Sequence, residues 1–482
     1  MDNDGFIPSI CHLRPRTGQR WLIACLSLCV ASAVQARVEL IALGRLDAHG
    51  GDKAVRTAAK LENGAPGNLR GGLGSALAYV GCDRFLAMPD RGPNAMHYKP
   101  SVSDTTSYIT RFHTLQLRLT PSGSDASLPY ALEPRLLDTT LLWSPTALVY
   151  GDGRHSGLAS GVPALNRRGM YYFTGRSDNF AAGRASDDAA NGRLDPEGLR
   201  MSSDAGRLFV GDEYGPSVRV FDRATGRQQR SYVLPRDLAV ARPDGNGQRE
   251  ADANTRGRVS NHGIEGIAVT PDDRTLFAVM QGALLQDGGR QGGHARILRI
   301  DLASGAVRQF AYPLQNLGTT EHPRYANVSD AVAINDHALL VIERDGKGLG
   351  DGSVASFKQL YVVELAGAMA IGDRHGEEAL ADVAVTKQHF LDLVAQLTAH
   401  GVPAQDIPAK IEGLAFGPDI DVDGRRSHTL FVSSDNDFLA DVKDEWHPDG
   451  MANPNRFFVF AFDGGDLPQY VPQPVPARCV PR

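Results

Sequence analysis

Four short apolar runs each open on a carboxylate: Glu197 in Asp195-Pro196-Glu197-Gly198-Leu199, Glu265 in Gly263-Ile264-Glu265-Gly266-Ile267, Asp330 in Ser329-Asp330-Ala331-Val332, and Glu412 in Lys410-Ile411-Glu412-Gly413-Leu414. The same runs close on polar clusters, Asp212-Glu213, Gln281, Glu343-Arg344-Asp345 and Asp435. Two looser runs close on Asp90-Arg91 and on Arg176-Ser177-Asp178. Oxygen donors without Cys or clustered His favour calcium over zinc or copper, and over magnesium where many protein carboxylates converge. The expected metal ligands are Asp90, Glu197, Asp212, Glu265, Asp330, Glu412 and Asp435, with Asp178 and Glu343 nearby. Carboxylates crowded together destabilise a fold unless a cation, arginines or protonation offsets their charge. Arg91, Arg176 and Arg344 are the arginines placed to do so, and interblade salt bridges are the structural alternative to a metal site.

What could gather these groups is a repeated hairpin. Glu213 and Gln281 stand 16 positions after Glu197 and Glu265 (213 − 197 and 281 − 265), and between them lie two apolar stretches joined by a polar turn. An antiparallel hairpin returns the end of its second strand to the level where its first began, so opening acid and closing cluster share one end. Counting the runs from Gly74, Val162, Asp195, Gly263, Ser329 and Lys410 gives six units. Further strand-like pieces such as Val218-Arg219-Val220-Phe221 fill each unit toward the four strands of a propeller blade. The expected fold is all-β, a β-propeller of six blades, with five or seven as open alternatives. The first strand, Val38 to Leu43, and the last, Arg456 to Phe462, would close the ring in one blade. Lys387 to Leu397 is expected to be a short helical insertion outside the repeating body.

The chain of 482 residues is 42% hydrophobic with 52 glycines and 28 prolines, enough for a large turn-dense core. Its net charge of -6 and lack of a basic block argue against a nucleic-acid partner. Residues 1–36 read as a signal peptide: Arg14, Arg16 and Arg20 precede an apolar stretch from Trp21, with cleavage expected near Ala33 or Ala36. The domain then runs over 37–482, periplasmic or secreted, with no stable membrane span after cleavage. Cleavage removes Cys11, Cys25 and Cys29, leaving Cys82 and Cys479 as a disulfide candidate, two separate buried thiols being the alternative. Asp419-Ile420-Asp421-Val422-Asp423-Gly424 has the spacing of half a calcium loop, but Leu430 occupies the twelfth position where an EF-hand needs Glu; a solvated hairpin tip fits better. No nucleophile elbow, zinc helix, Walker loop or dinucleotide fingerprint is present, and His262 is the one histidine placed to be a general acid or base.

The Asp195–Leu199, Asp212-Glu213-Tyr214-Gly215-Pro216, Gly263–Ile267 and Lys410–Leu414 words resemble those of the phytase-like family, "esterase-like activity of phytase", of bacterial exported proteins. The resemblance spans Gly44 to Phe462 and implies ester or phosphoester hydrolysis. Ser75 and Gln281 depart from the pattern of opening and closing acids. The leading expectation is a calcium-dependent phosphoric ester hydrolase acting on an anionic small molecule such as a phosphate ester. Arg91 and Arg344 would hold non-bridging oxygens, and Glu213, Glu265 or His262 would move the proton. The alternatives are a lactonase or other carboxylic ester hydrolase, and a non-enzymatic calcium-binding propeller.

Overall fold

The computed structural model describes residues 38–422 and 424–475. The expected signal peptide and Cys479 lie outside the described residues. Within them the chain forms five four-stranded antiparallel blades, not six. Blade 1 comprises Ala76–Gly81, Arg84–Met88, Arg111–Pro121 and Tyr130–Leu141; blade 2, Pro196–Met201, Arg207–Asp212, Ser217–Asp222 and Gln228–Tyr232. Blade 3 is built from Ile264–Val269, Thr275–Met280, His294–Asp301 and Val307–Pro313, and blade 4 from Asn327–Ala333, Ala338–Arg344, Lys358–Glu364 and Lys387–Asp392. Blade 5 takes Lys410–Phe416, Arg425–Asp435 and Asn455–Phe462 and borrows its outermost strand, Glu39–Leu46, from the start of the chain. That pairing, antiparallel from Glu39 opposite Ala461 to Leu46 opposite Asn455, closes the ring as the sequence suggests.

The run from Val162 accounts for the missing blade. Pro163 withholds a backbone donor and no alternation follows it, so the run forms only the two-residue strand Tyr171–Tyr172, paired with Trp143–Ser144, and isolated bridges such as Thr174 with Ile109 and Arg193. Phe173 beyond it is fully buried, in the seam between blades 1 and 2 beside Phe112, Leu199 and Phe221. The helix expected over Lys387 to Leu397 is also corrected. Lys387–Asp392 alternates and pairs with Lys358–Glu364 as the fourth strand of blade 4. Only Leu393–Ala399 is helical, started by Asp392, whose side chain accepts from the Ala395 amide at 2.9 Å. Cys82 is disulfide-bonded, and its expected partner, Cys479, is outside the described residues.

The first strands of the blades stand side by side around a central channel. Their close approach explains the Glu-Gly words. A Cβ on Gly266 would lie 2.7 Å from the Ala331 nitrogen and the Asp330 Cα, and one on Gly413 would lie 3.0 Å from the Gly74 carbonyl oxygen. Larger residues there would push the blades apart.

Candidate functional site

Each opening glutamate sits on a β-bulge. Pro196 pairs with Asp212 and Gly198 with Gly211, leaving Glu197 as the extra residue; Glu265 and Glu412 are extra in the same way. A bulge breaks the alternation of the strand and turns one side chain aside, here at the channel mouth where the inner strands begin. In blade 4 the bulged residue is Ser329, since Val328 pairs with Glu343 and Asp330 with Ile342. The acid of blade 4 is therefore one residue out of register with the glutamates. Asp330 lies where the other blades have glycine, fully buried, and its two oxygens take Arg200 Nη2 at 2.9 Å each and the Ala331 and Leu414 amides at 2.8 Å. It ties blades 2, 4 and 5 together and does not join the other acids.

At the mouth the geometry converges. Oxygen atoms of Asp90, Asp195 and Glu197 lie within 4.8 Å of one another, as do those of Asp90, Asp435 and Asp437. Arg91 donates to both oxygens of Asp195, from its amide at 3.1 Å and Nη1 at 2.5 Å, and its Nη1 stands 3.7 Å from Glu213. Lys410 bonds Asp437 and lies 3.9 Å from Asp435, while Arg344 Nη2 bonds Glu412. Ser75, the departure in blade 1, donates to Asp435 at 3.0 Å. Three buried atoms among the described residues keep no hydrogen-bond partner here: Glu265 Oε2, Ser329 Oγ and Arg344 Nε.

Burial and mutual repulsion hold these acids toward their protonated forms. Burial, then neighbouring Glu265 and Asp195, raises Glu197 well above the carboxylate range; burial, then Glu213 and Glu412, does the same to Glu265. Burial raises Asp435 strongly despite Lys410, and pushes Asp90 up to about 6 against Arg91 and Lys410. Glu213 is pushed up to about 8 by burial and Asp195. His262 goes the other way, down to about 3, through burial and the guanidiniums of Arg290, Arg344 and Arg258. Its Nε2 accepts from Arg290 Nη1 at 2.8 Å, so the imidazole is neutral.

Other expected members are drawn elsewhere. Asp212 accepts from the Asp195 and Tyr214 amides at 3.1 Å and from Ser217 at 2.9 Å, with its burial raising its pKa. Glu343 binds Tyr312, Lys387 and the Gln315 amide in the seam between blades 3 and 4. Arg176 grips Asp178 through Nε at 2.7 Å and Nη2 at 3.0 Å. Asp419 holds Arg426 and His428, and Ile420–Val422 pairs back onto the next strand, a hairpin tip. Asp195, Asp437 and Lys410 were missed as site residues. Asp195 and Lys410 each stand two positions before a bulged glutamate, and that shared offset was the available signal.

Beside the mouth lies a cleft of about 230 Å³, lined by Arg91, Arg193, Tyr214, Glu250, Arg258 and Arg290 among others. Fold and site together define a five-bladed propeller whose channel ends in a carboxylate-lined mouth flanked by guanidiniums. The chain belongs to the phytase-like family, described as esterase-like activity of phytase, whose profile matches residues 69–438. An "Uncharacterized secreted protein" of Arthroderma benhamiae is 27% identical over 452 residues, covering 78% of this chain and 84% of its own length. Among solved structures, the periplasmic gluconolactonase PpgL of Pseudomonas aeruginosa is 11% identical at a TM-score of 0.31, over 87% of this chain and 94% of that one. A putative 6-phosphogluconolactonase of Bacteroides uniformis is 11% identical at a TM-score of 0.29, over 80% and 88%.

Proposed function

We propose that this protein is an exported, calcium-dependent hydrolase of phosphoric esters, with its reaction at the carboxylate mouth. The observation that carries the reading is an excess of acid: Asp90, Asp195, Glu197, Glu213, Glu265, Glu412, Asp435 and Asp437 face Arg91, Arg258, Arg344 and Lys410, eight against four. The donors are all oxygen and one of them, Glu265 Oε2, is buried without a partner, which fits a hard divalent cation. Asp90, Asp195 and Glu197, with Asp435 and Asp437 on the other side of Asp90, are the residues that would hold it. A bound calcium would polarise the ester and lower the pKa of an attacking water.

The chain's own groups supply the rest. Arg344 keeps Nε free to donate to a non-bridging oxygen, while Arg91 fixes Asp195. Glu213 and Glu265 bind a proton more readily than ordinary carboxylates, so either can pass it between the attacking water and the leaving oxygen. Neutral His262 acts by orienting Arg290. Export is supported by the leader-like residues 1–36, by the secreted relative and by the lack, among the described residues, of any helix long and apolar enough to cross a membrane. The test is turnover by metal-stripped mature protein, with calcium restored, on a phosphomonoester, a phosphodiester and a lactone. Calcium-dependent phosphate release that Glu197→Gln/Glu265→Gln loses supports the reading. Lactone turnover alone, or tight calcium binding without turnover, refutes it.

A further inference from the structure

The cleft beside the mouth has an electrostatic character opposite to the mouth. Two of its guanidiniums, on Arg193 and Arg258, share one carboxylate, Glu250, and a third lines the cleft on Arg290. Arg258 Nη1 takes it at 2.6 Å; Arg193 Nη2 stands 3.7 Å away and makes no hydrogen bond. Arg193 is 1% exposed, with both Nε and Nη2 unpartnered, a costly state for a buried guanidinium. Arg290 is exposed and, among the described residues, has no carboxylate within salt-bridge distance; it donates to His262 Nε2 and, at 3.2 Å, to the Ser260 carbonyl. The other lining acid, Asp244, is engaged by Arg249 at 2.6 Å. Arg91 also lines the cleft and turns its Nη1 to Asp195, so cleft and mouth share a wall.

We infer that this cleft is a subsite for a doubly charged oxyanion, a phosphate group that anchors the substrate and is not itself cleaved. The two unpartnered nitrogens of buried Arg193 and the carboxylate-free Arg290 offer several charged donors, which the terminal oxygens of a phosphate dianion use more fully than the two oxygens of a carboxylate. The inference rests on the reading of the mouth as the reacting centre: the substrate class is then an ester carrying a second phosphate within reach of Arg91.

The experiment is calorimetric titration of metal-stripped mature protein with inorganic phosphate and with gluconate. Saturable phosphate binding, weakened tenfold or more by Arg290→Gln and unaffected by Arg426→Gln, the partner of Asp419 at the blade 5 hairpin tip, is the expected result, with gluconate at least tenfold weaker. Arg193→Met, checked for folding by circular dichroism, should weaken phosphate binding as well. Absence of saturable binding, an Arg290→Gln variant that binds like wild type, or gluconate binding as tightly as phosphate overturns the inference. The binding readout does not depend on turnover. If no ester is hydrolysed but the phosphate results hold, the proposed reaction falls and the subsite stands; if calcium-dependent turnover occurs with KM unchanged in Arg290→Gln, the subsite falls alone.

Discussion

One channel has two ends built on opposite electrostatic plans. At the mouth where the inner strands begin, bulges turn three glutamates inward and acids outnumber bases. Farther along the same strands, one acid, Asp330, meets one base, Arg200, and every oxygen of the acid is bonded. Beyond that pair lies a cleft of about 350 Å³, lined by Leu77, Met201, Phe416 and Tyr470. The chain's last described segment crosses it, with Val471 bonding the Ile334 carbonyl and Gln473 that of Met201. The contrast separates two uses of buried charge: an acid with every oxygen bonded, tying blades 2, 4 and 5 together, and an excess of acids whose charge the proposed calcium would offset.

Breaking the far end should cost the most stability. Arg200→Met leaves Asp330 buried without its partner, and chemical denaturation should show a loss of about 3–5 kcal/mol; calcium affinity should be unchanged, and a fall in it would mean that the two ends are not separate. Breaking the near end should do the reverse. Glu197→Gln/Glu265→Gln should lower calcium affinity by about two orders of magnitude in calorimetry, since fewer charged ligands remain, while denaturation in calcium-free buffer shows equal or greater stability than wild type.

The acid mouth also sets a pH dependence. Asp90, near 6, and Glu213, near 8, together with the raised Glu197, Glu265 and Asp435, hold protons in the folded state that the unfolded chain releases at about 4. Between about pH 4 and 8 the folded state thus binds more protons, and stability falls as pH rises. Calcium-free protein should melt several degrees lower at pH 8 than at pH 5, and calcium should restore more at pH 8. A melting temperature that rises over that interval would mean the acids are ionised in the fold. The smallest effect is expected from Tyr470→Ala. Its ring centroid lies 4.4 Å from that of Phe416 and 5.3 Å from that of Phe462, contacts worth about 0.5–1.5 kcal/mol each, and their loss should leave calcium binding and turnover as they were.

Much of this was legible in one dimension. The hairpin repeats at Asp195, Gly263 and Lys410, the closure by the terminal strands and the convergence of Glu197, Glu265 and Glu412 follow from alternation, turns and a recurring Glu-Gly word, all local properties of the chain. The sequence could not say that Val162 begins no blade, because a two-strand ribbon and a weak hairpin share the same short apolar pattern. Nor could it place Asp330. In Ser329-Asp330-Ala331 the acid looks equivalent to Glu265, but a bulge shifts register by one residue, and a strand with period two sends the shifted side chain to a different wall. Asp195, Lys410 and the arginines of the cleft come from different blades and loops and meet only when the ring closes. Residue type and local spacing therefore determined the strands and the supply of carboxylates; which carboxylates are paired, which are left in excess and where the guanidiniums gather was decided by tertiary packing, because charge balance depends on distances between segments far apart in the chain.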